Sequence, residues 1–219
     1  MNFDEIIDKT LKIAEEKFKD DRTGHDFYHA KRTYDLAMKI HEKEGGNKLV
    51  IGVASLLHDI HRIIFNEEGN QVSPKESLNC VKEILDNLNL DESTINSILH
   101  CIEFHDEYKF RKNAVIVNDL ETLILQDADN LDALGAIGIA RNAMFSGYFK
   151  IPMWLPDVPY DFVSIHRIDD ISMIHYIYNT IMKLKDNMNT KYGRELAEIR
   201  NEFTFNFFHE FFSEWNAEK

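Results

Sequence analysis

The stretch from Leu49 to Ile60, LVIGVASLLHDI, constrains this chain more than any other. It is apolar on nearly every face, yet it ends on His58 and Asp59. A helix with no polar face must be surrounded by other elements, so the pattern predicts a helix in the middle of the core. The flanking sequence reads as helical too. Ile6, Ile7, Leu11, Ala14 and Phe18 recur at helical spacing before the polar turn DDRTGHDF breaks the pattern. A second helix is predicted from about His29 to Glu44, with Leu36, Ala37 and Ile40 inward and Gly45-Gly46 as its stop. Ser73-Pro74-Lys75-Glu76 is a capping box with proline in the first turn, opening a helix that carries Leu78, Val81, Leu85 and Leu88. Asp91 caps the next helix, with Ile95, Ile98, Leu99 and Ile102 inward. A long helix is expected from about Asp119 to Ser146, ending at Gly147, and two more over about Asp169–Asn187 and Thr190–Trp215. The proline- and aromatic-rich stretch between them reads as an ordered loop, a lid or an interface. With no strand pair or repeat, the fold class is all-α. A single domain is expected, with a core over about 20–147, a loop over about 147–168 and a C-terminal helical layer over about 169–216.

Charge narrows the partners. The 219 residues carry a formal charge of −13, a poor basis for gripping polymeric nucleic acid or an anionic lipid surface. A small phosphorylated substrate is compatible, because a metal and a few arginines can overrule net charge locally. Cys80 and Cys101 lack metal-ligand spacing and read as small apolar core residues in a reducing cytosol. The N-terminal MNFDEIIDKT has no basic region and no apolar signal segment, and no run is long enough to span a bilayer, so a cytoplasmic location is expected.

Ionisable residues in apolar surroundings carry the chemistry. Taken alone, His58-Asp59 reads as a buried histidine hydrogen-bonded to an aspartate; it can equally offer one nitrogen and one oxygen to an ion. Three further features favour the ion. His29 opens an amphipathic helix, with Arg32 three residues on. His25-Asp26 lies one turn earlier. Asp127, Asp129 and Asp132 fall within six positions of an otherwise apolar helix, where acids need partners. A mixed His/carboxylate set suits Mn²⁺, Fe²⁺, Co²⁺, Ni²⁺ or Zn²⁺, with Mn²⁺ the first choice and Mg²⁺ also admissible.

The order His29, His58-Asp59, then an aspartate in QDADNLDALGAIGIAR resembles the ordered H…HD…D signature of HD-domain proteins. The resemblance extends through HDFYHAKRTYDLAMKI, LLHDIHR, HYIYNTIMKLKDNMNT and the C-terminal KYGRELAEIRNEFTFNFFHEFFSEW. It points to a bacterial HD-hydrolase group, some of whose members are nucleoside triphosphate pyrophosphohydrolases. It implies a helical fold, a divalent metal, and His29, His58 and Asp59 as ligands. Asp129 is the fourth, matching the aspartate of the family's A-D-x-L-D segment. Asp127 would face elsewhere, and Asp132 could orient a ligand from outside the metal's shell. Several better-known HD hydrolases carry an acid four residues after the HD histidine; here that position is Arg62, which cannot act as a base.

The expected activity is metal-dependent hydrolysis of a phosphate compound, foremost a nucleoside triphosphate cleaved to monophosphate and pyrophosphate. A phosphomonoesterase or phosphodiesterase and a non-catalytic ligand-binding protein are the alternatives. Asp59 is expected both to bind metal and to steer water, with His105 or His61 protonating the leaving oxygen and His105 lining the pocket. Arg32, Arg62 and Arg141 are the candidate phosphate contacts. His166, His175 and His209 read as structural or surface groups, and the aromatic stripe Phe203, Phe207, Phe208, Phe211, Phe212 and Trp215 as core or a homodimer contact.

Overall fold

The structure, a computed structural model, describes residues 1–65, 67, 69–159 and 171–219. His166 lies outside the described residues, as does much of the expected loop. The architecture is all-α. In chain order the helices are α1 (Phe3–Phe18), α2 (Phe27–Glu44), α3 (Lys48–Leu57), α4 (Pro74–Asp86), α5 (Glu92–Phe104), α6 (Leu120–Asp132), α7 (Gly135–Tyr148), α8 (Met173–Asn179), α9 (Leu184–Asn187) and α10 (Lys191–Trp215). Among the described residues the one β feature is an isolated bridge between Phe65 and Gln71. No helix among them is long and apolar enough to cross a membrane.

Local chemistry sets the starts. Asn2 and Glu5 form a reciprocal cap on α1, and Ser73 and Glu76 do the same on α4. Asp91 accepts from the Thr94 N–H, opening α5. Asp26 accepts from the backbone N–H of His29, so α2 begins two residues before His29 and the cap sets that histidine's place in the first turn.

Three apolar clusters hold the bundle. The largest packs α3 between α1, α4 and α5, with Val53, Leu56, Leu57 and Ile60 fully buried. A second joins α2, α6 and α10 through Ile40, Ile124, Leu131 and Ala197. A third binds Trp154 and α8 to the aromatic half of α10 through Ile174, Ile177 and Phe208.

Three expected helices are broken. The α-helix predicted over Leu49–Ile60 ends at Leu57, and the chain tightens into a 3-10 turn over His58–Ile63. The helix predicted from Asp119 to Ser146 stops at Asp132 and restarts at Gly135, whose φ of +73° favours glycine. Alanine and leucine at 133 and 134 conceal that break, since both are good helix formers. Within Asp169–Asn187 the structure has α8, a 3-10 turn at Ile181–Lys183 and the short α9 instead of one helix.

Candidate metal centre

The inner ends of α2, α3 and α6 meet where their polar residues are needed. α2 supplies His29, the 3-10 turn supplies His58 and Asp59, and α6 supplies Asp129. Four donor atoms converge there. His29 Nε2 lies 3.1 Å from His58 Nε2, 3.2 Å from Asp59 Oδ2 and 3.4 Å from Asp129 Oδ1. His58 Nε2 is 3.4 Å from Asp59 Oδ2 and 3.7 Å from Asp129 Oδ1.

The tautomers follow from the outer ring nitrogens. His29 Nδ1–H donates to Asp132 Oδ2 at 2.8 Å, and His58 Nδ1–H donates to the Ser55 carbonyl at 2.9 Å. In the neutral rings that a metal requires, both Nε2 lone pairs point inward, at each other and at two carboxylates. Asp59 Oδ2 is buried without a hydrogen-bond partner. Such an arrangement is repulsive without a positive charge at its centre. Ligands about 2.1 Å from one ion are separated by roughly 3.0 Å when cis in an octahedron and roughly 3.4 Å in a tetrahedron. Four of the five separations fall in that range and the fifth, His58 Nε2 to Asp129 Oδ1 at 3.7 Å, lies just beyond it, so the residues fit a divalent cation with Asp129 the most loosely placed donor. Asp129, with its side chain 20% exposed, is the donor on the open side, whereas the other three are buried.

The electrostatics agree. Burial alone would lower the proton affinity of His58, but Asp59 and Asp129 outweigh it and push its pKa up to about 9. Burial would push Asp59 up; the charge of His58 and contacts from His105, His29 and His58 instead hold it well below the usual carboxylate range. Asp132 is likewise held low against burial by His29, Arg32 and Arg141. It takes a bidentate pair of bonds from Arg32, 2.8 Å from Nε and 3.0 Å from Nη2. Arg141 Nη1 approaches within 3.2 Å, while Arg141 Nε donates to the Gly24 carbonyl at 2.7 Å.

A cavity of about 560 Å³ opens from this centre. Among the described residues Asp59, Asp106 and Asp129 line it, with Arg62, Arg111, Arg141 and Lys183 as the cationic groups. Arg32, expected at phosphate, is absent from the lining and is engaged by Asp132. Arg62 faces the cavity because the three-residue period of the 3-10 turn stacks it over Asp59, with Nε 3.4 Å from Oδ1. His105 and His61 do not line the cavity, contrary to the expectation for His105. They stand behind Asp59, 3.8 and 3.9 Å from its Oδ1. His105 Nδ1–H donates to the Ile102 carbonyl at 2.7 Å, which turns Nε2 toward Asp59, and a ring nitrogen of His105 lies within 4.8 Å of donor atoms of His58 and Asp129. Burial lowers His61 to about 4 despite the Asp59 charge.

Asp127 points away from the centre, as helical geometry predicts. Its carboxylate caps α10, accepting from the N–H groups of Asn189 and Thr190 at 2.8 and 2.7 Å and from the Thr190 hydroxyl at 2.7 Å. His175 is buried between Ser172 and the Pro159 carbonyl, a structural role. Sequence reasoning gave His25 no role of its own and passed over Arg111, Phe145 and Lys183; all four also line the cavity. They come from separated loops and helices with no shared spacing to mark them. Only His25 carried a signal, from its place one turn before His29.

Fold and centre together define the class, and comparison with known proteins agrees. The HD domain family model matches residues 26–134. The chain belongs to the HD-domain superfamily of metal-dependent phosphohydrolases. It is 32% identical over 196 residues to the uncharacterized protein YpgQ of Bacillus subtilis, covering 86% of this chain and 83% of YpgQ. The crystal structure of an HD-superfamily hydrolase from Bacillus thuringiensis superposes with a TM-score of 0.74 at 32% identity, covering 99% of this chain and 100% of that one. Bacillus subtilis YpgQ in complex with ADP superposes with a TM-score of 0.70 at 27% identity, covering 95% of this chain and 97% of YpgQ.

Proposed function

We propose that this protein hydrolyses a nucleoside triphosphate between the α and β phosphorus atoms, giving nucleoside monophosphate and pyrophosphate. His29, His58, Asp59 and Asp129 would hold one divalent ion, with Mn²⁺ the first candidate. The observation that carries the reading is the junction of centre and cavity. In a chain of charge −13, four cationic side chains among the described residues line the space that Asp59 and Asp129 open into, against one further acid, Asp106. That enclave suits a polyanion small enough to enter a cavity of about 560 Å³. The relative solved with ADP supports a nucleotide as the polyanion.

A divalent ion in this centre supplies Lewis-acid polarisation of phosphoryl oxygen and acidifies water. The water oxygen would bond to the α phosphorus as the bond to the bridging oxygen breaks, pyrophosphate would depart with that oxygen's electron pair, and the water's proton would pass through solvent in the open cavity. Asp59 would remain ionised throughout, holding the ion and steering the attacking water, while its Oδ1 keeps Arg62, 3.4 Å away, in place. Arg62, fixed as a cation by Asp59 and Asp106 despite burial, draws charge off the phosphoryl oxygens. Arg111 and Lys183 neutralise the distal phosphates. Pyrophosphate is a good leaving group and needs little help from an acid. His105 and His61, behind Asp59, therefore act as positioning residues. Arg32 and Arg141 act mainly by holding Asp132 against His29.

The test is a nucleotide panel with Mn²⁺ in which pyrophosphate and orthophosphate are resolved by ion-exchange chromatography. Stoichiometric monophosphate and pyrophosphate is the expected result. Stepwise orthophosphate release, or turnover of monophosphates alone, would replace this reading with a phosphomonoesterase. Absence of turnover with Mn²⁺, Co²⁺, Ni²⁺ and Mg²⁺ would favour a binding protein.

A further inference from the structure

The turn between α1 and α2 does more than connect them. Asp21 Oδ1 accepts from the backbone N–H groups of Thr23 and His25, at 2.8 and 2.9 Å. Asp21 Oδ2 accepts from the Thr23 hydroxyl at 2.9 Å. That hydroxyl has one proton, and the carboxylate takes it. Thr23 Oγ1 therefore accepts from His25 Nδ1–H, 2.9 Å away. The chain of bonds settles the tautomer of His25: Nδ1 carries the proton and Nε2 presents a lone pair. Arg141, donating to the carbonyl of the intervening Gly24, pins the same turn from the opposite wall.

His25 lines the cavity, and its ring stands edge-on to His29 with centroids 5.7 Å apart. On its other side it meets Phe145, 5.9 Å away, which also lines the cavity. A fixed acceptor here discriminates by asking for a donor. Phosphates at neutral pH offer almost none, so the partner lies on the rest of the ligand. Position selects which part. A nucleotide runs phosphate, sugar, base. With its reacting phosphorus at the metal centre, the group one ring away from His29 is the sugar, and the base lies farther out.

Resting on the nucleotide reading above, we propose that His25 Nε2 accepts a hydrogen bond from a ribose hydroxyl, making His25 a specificity-determining residue for the sugar. Thr23 and Asp21 are the positioning residues that hold it in the accepting tautomer.

The experiment uses the full metal-loaded chain with ATP and GTP and with the 2′-deoxy and 3′-deoxy form of each. Wild type should lose about tenfold in kcat/KM on one of the two deoxy forms, the effect of one hydrogen bond. His25→Ala should bring the hydroxyl and deoxy forms level while keeping its metal content. His25→Gln, which can still present an acceptor, should restore part of the preference. Thr23→Val, which leaves the ring but removes its anchor, should reduce the preference without abolishing turnover and serves if His25→Ala fails to fold. Equal kcat/KM for all three sugars in the wild type would overturn the proposal. So would a hydroxyl preference that survives in His25→Ala. Those outcomes leave nucleotide hydrolysis standing, whereas failure to turn over any of the six nucleotides removes the nucleotide reading and this proposal with it.

Discussion

Two imidazole nitrogens 3.1 Å apart, both with lone pairs facing inward, persist only where something positive lies between them and the adjoining carboxylates. At the scale of single residues this makes metal retention the sharpest prediction. Alanine at His29, His58 or Asp59 should yield folded protein that has lost its divalent ion by elemental analysis, and Asp129→Ala should do the same. Wild-type metal content in a folded His58→Ala protein would remove the assignment. Asp132→Ala should weaken metal affinity by roughly 10–100-fold, because Asp132 fixes the His29 tautomer without being a donor itself. Arg62 makes the opposite case. Arg62→Ala should keep its metal while kcat falls roughly 100-fold, the scale of losing one donor to developing charge. Unchanged turnover in that variant would show that the guanidinium serves only the fold.

At the scale of elements, the start of α10 is buttressed by an acid from α6. Asp127 satisfies two backbone N–H groups and a hydroxyl there, and a Cβ at Gly193 would collide with its Oδ2. Asp127→Ala should therefore cost about 2–4 kcal/mol in chemical denaturation while leaving metal content intact. Gly193→Ala should destabilise through the same contact. Loss of metal in Asp127→Ala with wild-type stability would mean that α6 is rotated. The cap on α6 itself gives a pH dependence. Burial pushes Asp119 up, but the Thr122 hydroxyl and N–H and the His100 ring outweigh it and hold its carboxyl below the ordinary value. A carboxyl lowered in the folded state stabilises above its unfolded pKa of about 3.9, and that contribution disappears as pH falls through the lower folded value. The Tm gap between wild type and Asp119→Asn should be present at pH 5 and close as pH drops below about 4. A gap unchanged down to pH 2 would contradict this.

At the scale of the whole molecule, the centre is a tie between layers. It joins α2 and α6, from the second apolar cluster, to the end of α3, from the first. An ion bound only by the folded state adds about 4 kcal/mol when present at a thousand times its dissociation constant. For a chain of this size, that corresponds to a Tm shift of roughly 10 °C. Chelation should lower Tm by about that amount, and Mn²⁺ should restore it. A melting curve indifferent to chelator, on protein shown to have lost its metal, would mean the donors tolerate one another without a cation.

Much of this was legible in the chain itself, because the relevant physics is local. Helical periodicity, the capping box at Ser73, and an apolar segment ending in His58-Asp59 depend only on neighbours in sequence. They define an all-α protein with ionisable residues delivered to its core. The ordered His29, His58-Asp59 and Asp129 were legible through their resemblance to the HD-domain signature, with helix faces separating Asp129 from Asp127. Other features required the tertiary structure, because they depend on which distant groups meet. Arg32 reads as a phosphate contact until Asp132, a hundred residues away, engages it in a bidentate pair. His105 reads as a pocket residue until its bond to Ile102 turns the ring behind Asp59. The shift from α-helix to 3-10 geometry at His58 leaves no mark in composition, yet it sets Arg62 over Asp59. A side chain's type limits what it can do; its partners in the folded chain, through geometry and desolvation, decide which of those things it does.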